Sequence, residues 1–183
     1  MQQTDFTSVN KDGGGITQLK LLLGHFDQHA RVQEEFIFSA IRQKDPGLIE
    51  IFEQEHTIEK EMNMQITNLL KDLDHAIESE RKSIGAVINQ SFMNFMIFSL
   101  QHMAKEEEHI NRILWHYWSD NELLGMRGKI MGAIPRQQIT EYNKWIIRGL
   151  NISEITGWLK EIKNNMPALI FQSVLDAAAT ELS

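Results

Sequence analysis

His102 and Glu106 stand four residues apart, so on a helix the imidazole and the carboxylate lie one above the other on a single face. His109, three residues further on, continues that face. A His/Glu pair at this spacing is half of a two-helix metal site of the kind found inside carboxylate-bridged helix bundles. Taken alone it is a surface pair worth about 0.2–0.5 kcal/mol. What decides between the two readings is whether other helices supply the remaining ligands.

The candidates are His29, His56 and one of Gln33 or Glu34. His25, one turn before His29, reads equally well as a spare ligand or an exposed histidine. His109 reads equally well as a further ligand or as a supporting or core-edge residue. His75, in a Lys-Asp-Leu-Asp stretch, reads as solvated, and His116, between Trp115 and Tyr117, as a packing residue. Glu59, Glu61, Glu107 and Glu108 read as solvated faces. All seven histidines lie between His25 and His116, so imidazole chemistry belongs to the first two thirds of the chain. Imidazole suits iron, zinc, copper and nickel, while carboxylates suit harder cations. A mixed His/Glu set without sulfur points to iron first, as one or two ions, with manganese or zinc behind it.

Composition narrows the alternatives. The 183 residues make one ordinary domain, or one with an appendage, and can bury a core unaided. With no cysteine there is no disulfide, thiolate zinc site or thiol nucleophile, which fits a cytoplasmic protein. A net charge of -7 argues against nucleic acid as a partner. The polar start of the chain lacks an apolar signal core. The most apolar run, Phe92 to Leu100, is broken by Asn94 and falls short of a membrane span, so no membrane partner is expected.

The elements that must position these residues are helical throughout. Residues 1–15, ending in three glycines, read as a flexible arm. From Ile16, Leu19, Leu22, Leu23, Phe26 and Ala30 recur at helical steps, and the helix is predicted to reach about Gln43. Asp45-Pro46-Gly47 stops it and opens a second helix that runs to Ile77 and frays through Glu78–Lys82. A third helix is predicted from near Ser83 to about Trp118. Short helices follow: one capped at Ser119 with Glu122, one opened by Pro135, one capped by Ser153 and one opened by Pro167. The expected class is all-α: an antiparallel bundle of long helices over 16–118, with a short-helix C-terminal extension over 119–183 packed on it.

Levelling the candidates across the turns brings them together. Helices rise about 1.5 Å per residue, so four residues span roughly 6 Å. Glu34 and His56 lie at equal distance from the first turn, and His56 and Glu106 at nearly equal distance from the second. His29 and His102 are one turn nearer the second hairpin. Three helices thus place His29, His56, His102 and Glu106 in two adjacent layers, with Gln33 or Glu34 as a fifth group.

Three blocks carry a resemblance to a known family. His29-Ala30-Arg31-Val32-Gln33-Glu34-Glu35, Glu55-His56-Thr57-Ile58 and His102-Met103-Ala104-Lys105-Glu106-Glu107-Glu108 resemble, in order and spacing, the metal-binding blocks of hemerythrin-like (HHE cation-binding) domains. The tail from His116 through Pro135 is similar to a C-terminal extension of some bacterial members, so the resemblance covers most of 25–183. It implies a helical bundle around a non-haem, usually di-iron, centre, and a role in oxygen binding, sensing of oxygen or nitric oxide, iron handling or repair of iron centres. Two departures stand out. The glutamate expected four residues after His29 is Gln33, a neutral and poor bridging ligand. The first helix of the family bundle, which bears a further histidine, is shortened or absent, so a fourth wall would come from the C-terminal helices or from a second copy in a homodimer. The expectation is a metal-binding protein that binds or senses a small diatomic ligand. An oxidase or peroxidase would want more inward carboxylates. The rival is a metal-free all-α interaction or dimerisation module.

Overall fold

The computed structural model describes residues 13–182. Among them there is helix and no strand. The first helix, α1 (Gly13–Val32), runs without a break into a π-helical turn, Gln33–Phe38, and then into the short α2 (Ser39–Ile41). The long helices α3 (Pro46–His75) and α4 (Glu78–Tyr117) follow, then four helices of 14 residues: α5 (Asp120–Ala133), α6 (Arg136–Gly149), α7 (Ile152–Asn165) and α8 (Ala168–Glu181). The predicted arm lies outside the described residues as far as residue 12. Gly13 to Gly15 are already helical, because partly buried Ile16 and buried Leu19 anchor that first turn in the core.

The first turn forms as its residues dictate. The Asp45 carboxylate accepts the backbone N–H of Leu48 at 2.9 Å, and Pro46 takes a helical position where its missing N–H leaves nothing unpaired. The second turn is tighter than predicted. Only Ala76 and Ile77 separate α3 from α4, and Glu78–Lys82 is the first turn of α4 rather than a frayed end. Glu78 and Glu80 lie at its positive N-terminal end. The buried Arg81 guanidinium donates to the carbonyl of Leu73 at 2.7 Å, satisfying a carbonyl that the end of α3 leaves open.

Partners across helices run in opposite directions, as in an antiparallel bundle. Along α4, Arg81 meets Leu73, Ser99 meets Glu59 and His102 meets Glu55 of α3. Along the first helix, Asp27 meets Asn63 and Glu34 meets His56. Two apolar clusters result. Leu19, Leu23, Ile66, Leu70, Leu73, Ile88 and Phe95 form one near the α3–α4 turn. Phe38, Ile41, Ile49, Phe52 and Ile110 form the other near the Asp45 turn. Between them lies a buried polar layer that includes Gln33, His56, Glu59, Ser99, His102 and Glu106.

The π-turn sets which side of the first helix faces that layer. Its buried residues are Gln33 and Phe38, five apart, where an α-helix would step by three or four. A period of 3.6 gives no sign of such a turn.

The helix α4 is apolar over a longer stretch than Phe92–Leu100 alone. By length and composition, α4 contains an 18-residue window apolar enough to cross a membrane. Between Lys82 and Lys105 the chain has no Asp, Glu, Lys or Arg, and its Asn, Gln and Ser residues interrupt an apolar run without bringing charge.

The chain divides into two compact units, Met1–Arg127 and Gly128–Ser183, with the division inside α5. Within the second unit, Ile147, Ile155 and Ala178 form a small core with Leu150, Trp158 and Leu159. Ser153 is not the cap of α7. Asn151 is, accepting the N–H of Glu154 at 3.1 Å while the Glu154 carboxylate accepts the N–H of Asn151 at 2.8 Å.

Candidate metal centre

Three ligand atoms from two helices converge in the polar layer. One nitrogen each of His56 and His102 and one Glu106 oxygen all lie within 4.8 Å of one another, and all three residues are buried. Glu106 Oε1 is 2.9 Å from His102 Nε2 and 3.6 Å from His56 Nε2. The 2.9 Å separation alone would permit a hydrogen bond, but the alignment does not make one. All three atoms are buried without a hydrogen-bond partner.

Each imidazole is held from its other nitrogen. Glu34 Oε1 lies 2.9 Å from His56 Nδ1, and Glu55 Oε2 lies 2.8 Å from His102 Nδ1. With a carboxylate accepting the Nδ1–H, the neutral ring turns the Nε2 lone pair inward, the tautomer a metal ligand needs. Two nitrogen lone pairs and a carboxylate oxygen then face one another across a few ångströms. Only a cation between them, a proton or a metal, makes that arrangement favourable. Aromatic rings hold the imidazoles in place: Phe38 stacks on His56 at 5.1 Å, and Phe52 meets His102 edge-on at 5.7 Å.

The charges respond accordingly. Burial would lift the Glu106 carboxyl, but pairing with His102, His29 and His56 holds it far below the ordinary carboxylate value. Burial opposes the charged form of both buried histidines. Pairing with Glu106 and Glu34 nonetheless raises His56, and pairing with Glu106 and Glu55 raises His102. Glu55 is held low despite the opposing effect of its partial burial, through hydrogen bonds from His102 and Lys105.

The other predicted residues fall around this group. His29 Nε2 is 3.6 Å from the second Glu106 oxygen, Oε2, so it adjoins the trio from α1, with its side chain 43% exposed. Glu34 reaches His56 at Nδ1 rather than at the inward nitrogen. Gln33 is the residue that turns inward, 6% exposed, with its Oε1 buried and unpartnered. His25 and His109 are half-buried and do not join the tight group. His75 is exposed, with Nδ1 2.7 Å from the Lys71 carbonyl, and exposed His116 lies edge-on to Tyr117.

Two contributors escaped the sequence reading. Glu55 appeared there only as part of a motif. Glu59, expected on a solvated face, is 4% exposed and accepts the hydroxyl hydrogen of Ser99, which is 0% exposed. The available signal was its position three residues after His56, on the same helix face. Glu34, His56 and Glu59 line one cavity of about 500 Å³ between the first helix and α3. Comparisons with protein families, curated proteins and solved structures find no match to this chain.

Proposed function

We propose that this chain is a non-haem iron protein of the hemerythrin-like kind, holding one or two ions and binding or sensing a small ligand such as oxygen or nitric oxide, or handling iron, in the cytoplasm. One observation carries the reading: His56 Nε2, His102 Nε2 and Glu106 Oε1 converge, buried and unpartnered, while carboxylates secure both Nδ1 atoms. Those three residues would hold the first ion and leave coordination positions open, as ligand binding requires. Glu106 Oε2, facing His29, offers a bridging oxygen toward a second. The cavity beside His56 and Glu34 has room for a small molecule.

Gln33 favours a second reading, a metal-free all-α interaction or dimerisation module, because a neutral amide stands where the resemblance expects a bridging carboxylate. Anaerobic reconstitution with Fe²⁺, followed by metal analysis and absorption spectra before and after aeration, separates the two. At least about one equivalent per chain, lost in His56→Ala and His102→Ala, supports the iron centre, because metal that binds only the folded chain must also stabilise it. Absence of retained iron and of any shift in melting temperature supports the metal-free module.

A further inference from the structure

Glu59 presents a problem that the site as described does not solve. The residue is 4% exposed, and among the described residues its carboxylate has one hydrogen bond, from Ser99. Among the described residues no Lys, Arg or His side chain forms an ion pair with it; its electrostatic interaction is with His102, whose charged form it favours. Once His102 is neutral, as a metal ligand must be, no positive group among the described residues balances this buried carboxylate, which is unfavourable. The other buried carboxylate of the layer, Glu106, has three imidazoles around it.

The position of Glu59 points to what balances it. Glu59 and His56 are one turn apart on the same face of α3, as Ser99 and His102 are on α4, so the Glu59–Ser99 pair forms the layer next to His56 and His102. Glu59 also lines the cavity that reaches His56. A divalent ion held by two neutral imidazoles and Glu106 would leave one positive charge in this buried layer, and one further carboxylate would cancel it. Gln33, where the family resemblance implies a carboxylate, has none to offer.

We propose that Glu59 is the second carboxylate of the centre, the anionic partner of the ion held by His56, His102 and Glu106, with Ser99 fixing its orientation. The inference rests on the metal-binding reading above. It assigns to α3 the inward carboxylate that Gln33 does not supply, and it gives Ser99 a role in aiming one oxygen.

The test is titration of the full-length native chain and of Glu59→Gln with Fe²⁺ under anaerobic conditions, with melting temperatures measured with and without metal. The amide keeps the volume of Glu59 and can still accept from Ser99, so only the charge is lost. Affinity for Fe²⁺ is expected to fall about 10- to 100-fold, the range seen when a group supporting a metal ligand is removed. Metal-free Glu59→Gln is expected to melt at or above the native temperature, since a buried charge that no cation contacts is gone. A purely structural glutamate would not move the two readings in opposite directions. Native chain that binds Fe²⁺ with Glu59→Gln binding equally well overturns this inference and leaves the metal centre standing. So does Glu59→Gln that is unstable or unfolded without metal. A native chain that binds no Fe²⁺ overturns both.

Discussion

Glu55 Oε2 lies 2.8 Å from Nδ1 of His102 on the neighbouring helix, and the same carboxylate also takes the Lys105 ammonium. It fixes the ring from behind, so that Nε2 has one direction in which to point. Glu55→Ala is therefore expected to reduce iron affinity about 10- to 100-fold without touching a ligand. Glu55→Gln, which still accepts the Nδ1–H, should recover most of it. Lys105→Ala should have little effect, because half-exposed ion pairs are worth about 0–1 kcal/mol. Iron titrations of the three variants check this, and equal affinity in Glu55→Ala and native protein would refute the orienting role.

Acidity should act on the metal-free and iron-loaded forms in opposite ways. His56 and His102 are raised above their ordinary value of 6.5, so the stability they confer on the metal-free chain is complete below pH 6.5 and is lost as pH rises through their folded values. Glu106 is depressed below 4.5, so its contribution is present above pH 4.5 and is lost as the pH falls. The metal-free chain should be most stable between those two values. Iron requires neutral imidazoles, so the melting-temperature gain on adding it should grow from about pH 6 to about pH 8. Thermal melts across that range, with and without iron, measure both slopes.

The apolar cluster near the α3–α4 turn should matter for stability alone. Phe95 is 0% exposed and meets Phe26 edge-on at 5.0 Å. Phe95→Ala is expected to cost about 3–5 kcal/mol through lost transfer free energy and the cavity left behind. Denaturant unfolding would show a lower midpoint, while the folded fraction should keep the native iron stoichiometry.

Much of the bundle was legible in the order of residues because strong local signals agree with the packing. Asp45-Pro46-Gly47 marks a turn through a cap and a proline, and it formed where expected. The second turn carries no glycine or proline. Apolar Ile77 continues the α3 stripe on paper, although it is 65% exposed and sits in the link. His56, His102 and Glu106 could be read because four-residue spacing and equal heights depend on helix geometry alone. Glu59 could not, because Glu59-Lys60-Glu61 has the alternating charge of a solvated surface, and its burial depends on Ser99 forty residues away. Which of Gln33 and Glu34 turns inward was hidden for a different reason. It arises from a change of helical period that no apolar pattern announces.

That wide turn makes the length of the first helix matter as much as its chemistry. Residues before Gln33 and after Phe38 each present an inward face, and the two faces are out of phase by one position. The wide turn takes up that one extra position, so removing a residue between them would let it close to an ordinary α-helical turn with both halves still facing inward. Adding a residue would instead rotate one half against the other by about 100°, carrying Leu23, or Phe38 and Ile41, out of the core. The first helix should therefore tolerate a deletion at exposed Glu35 better than an insertion there.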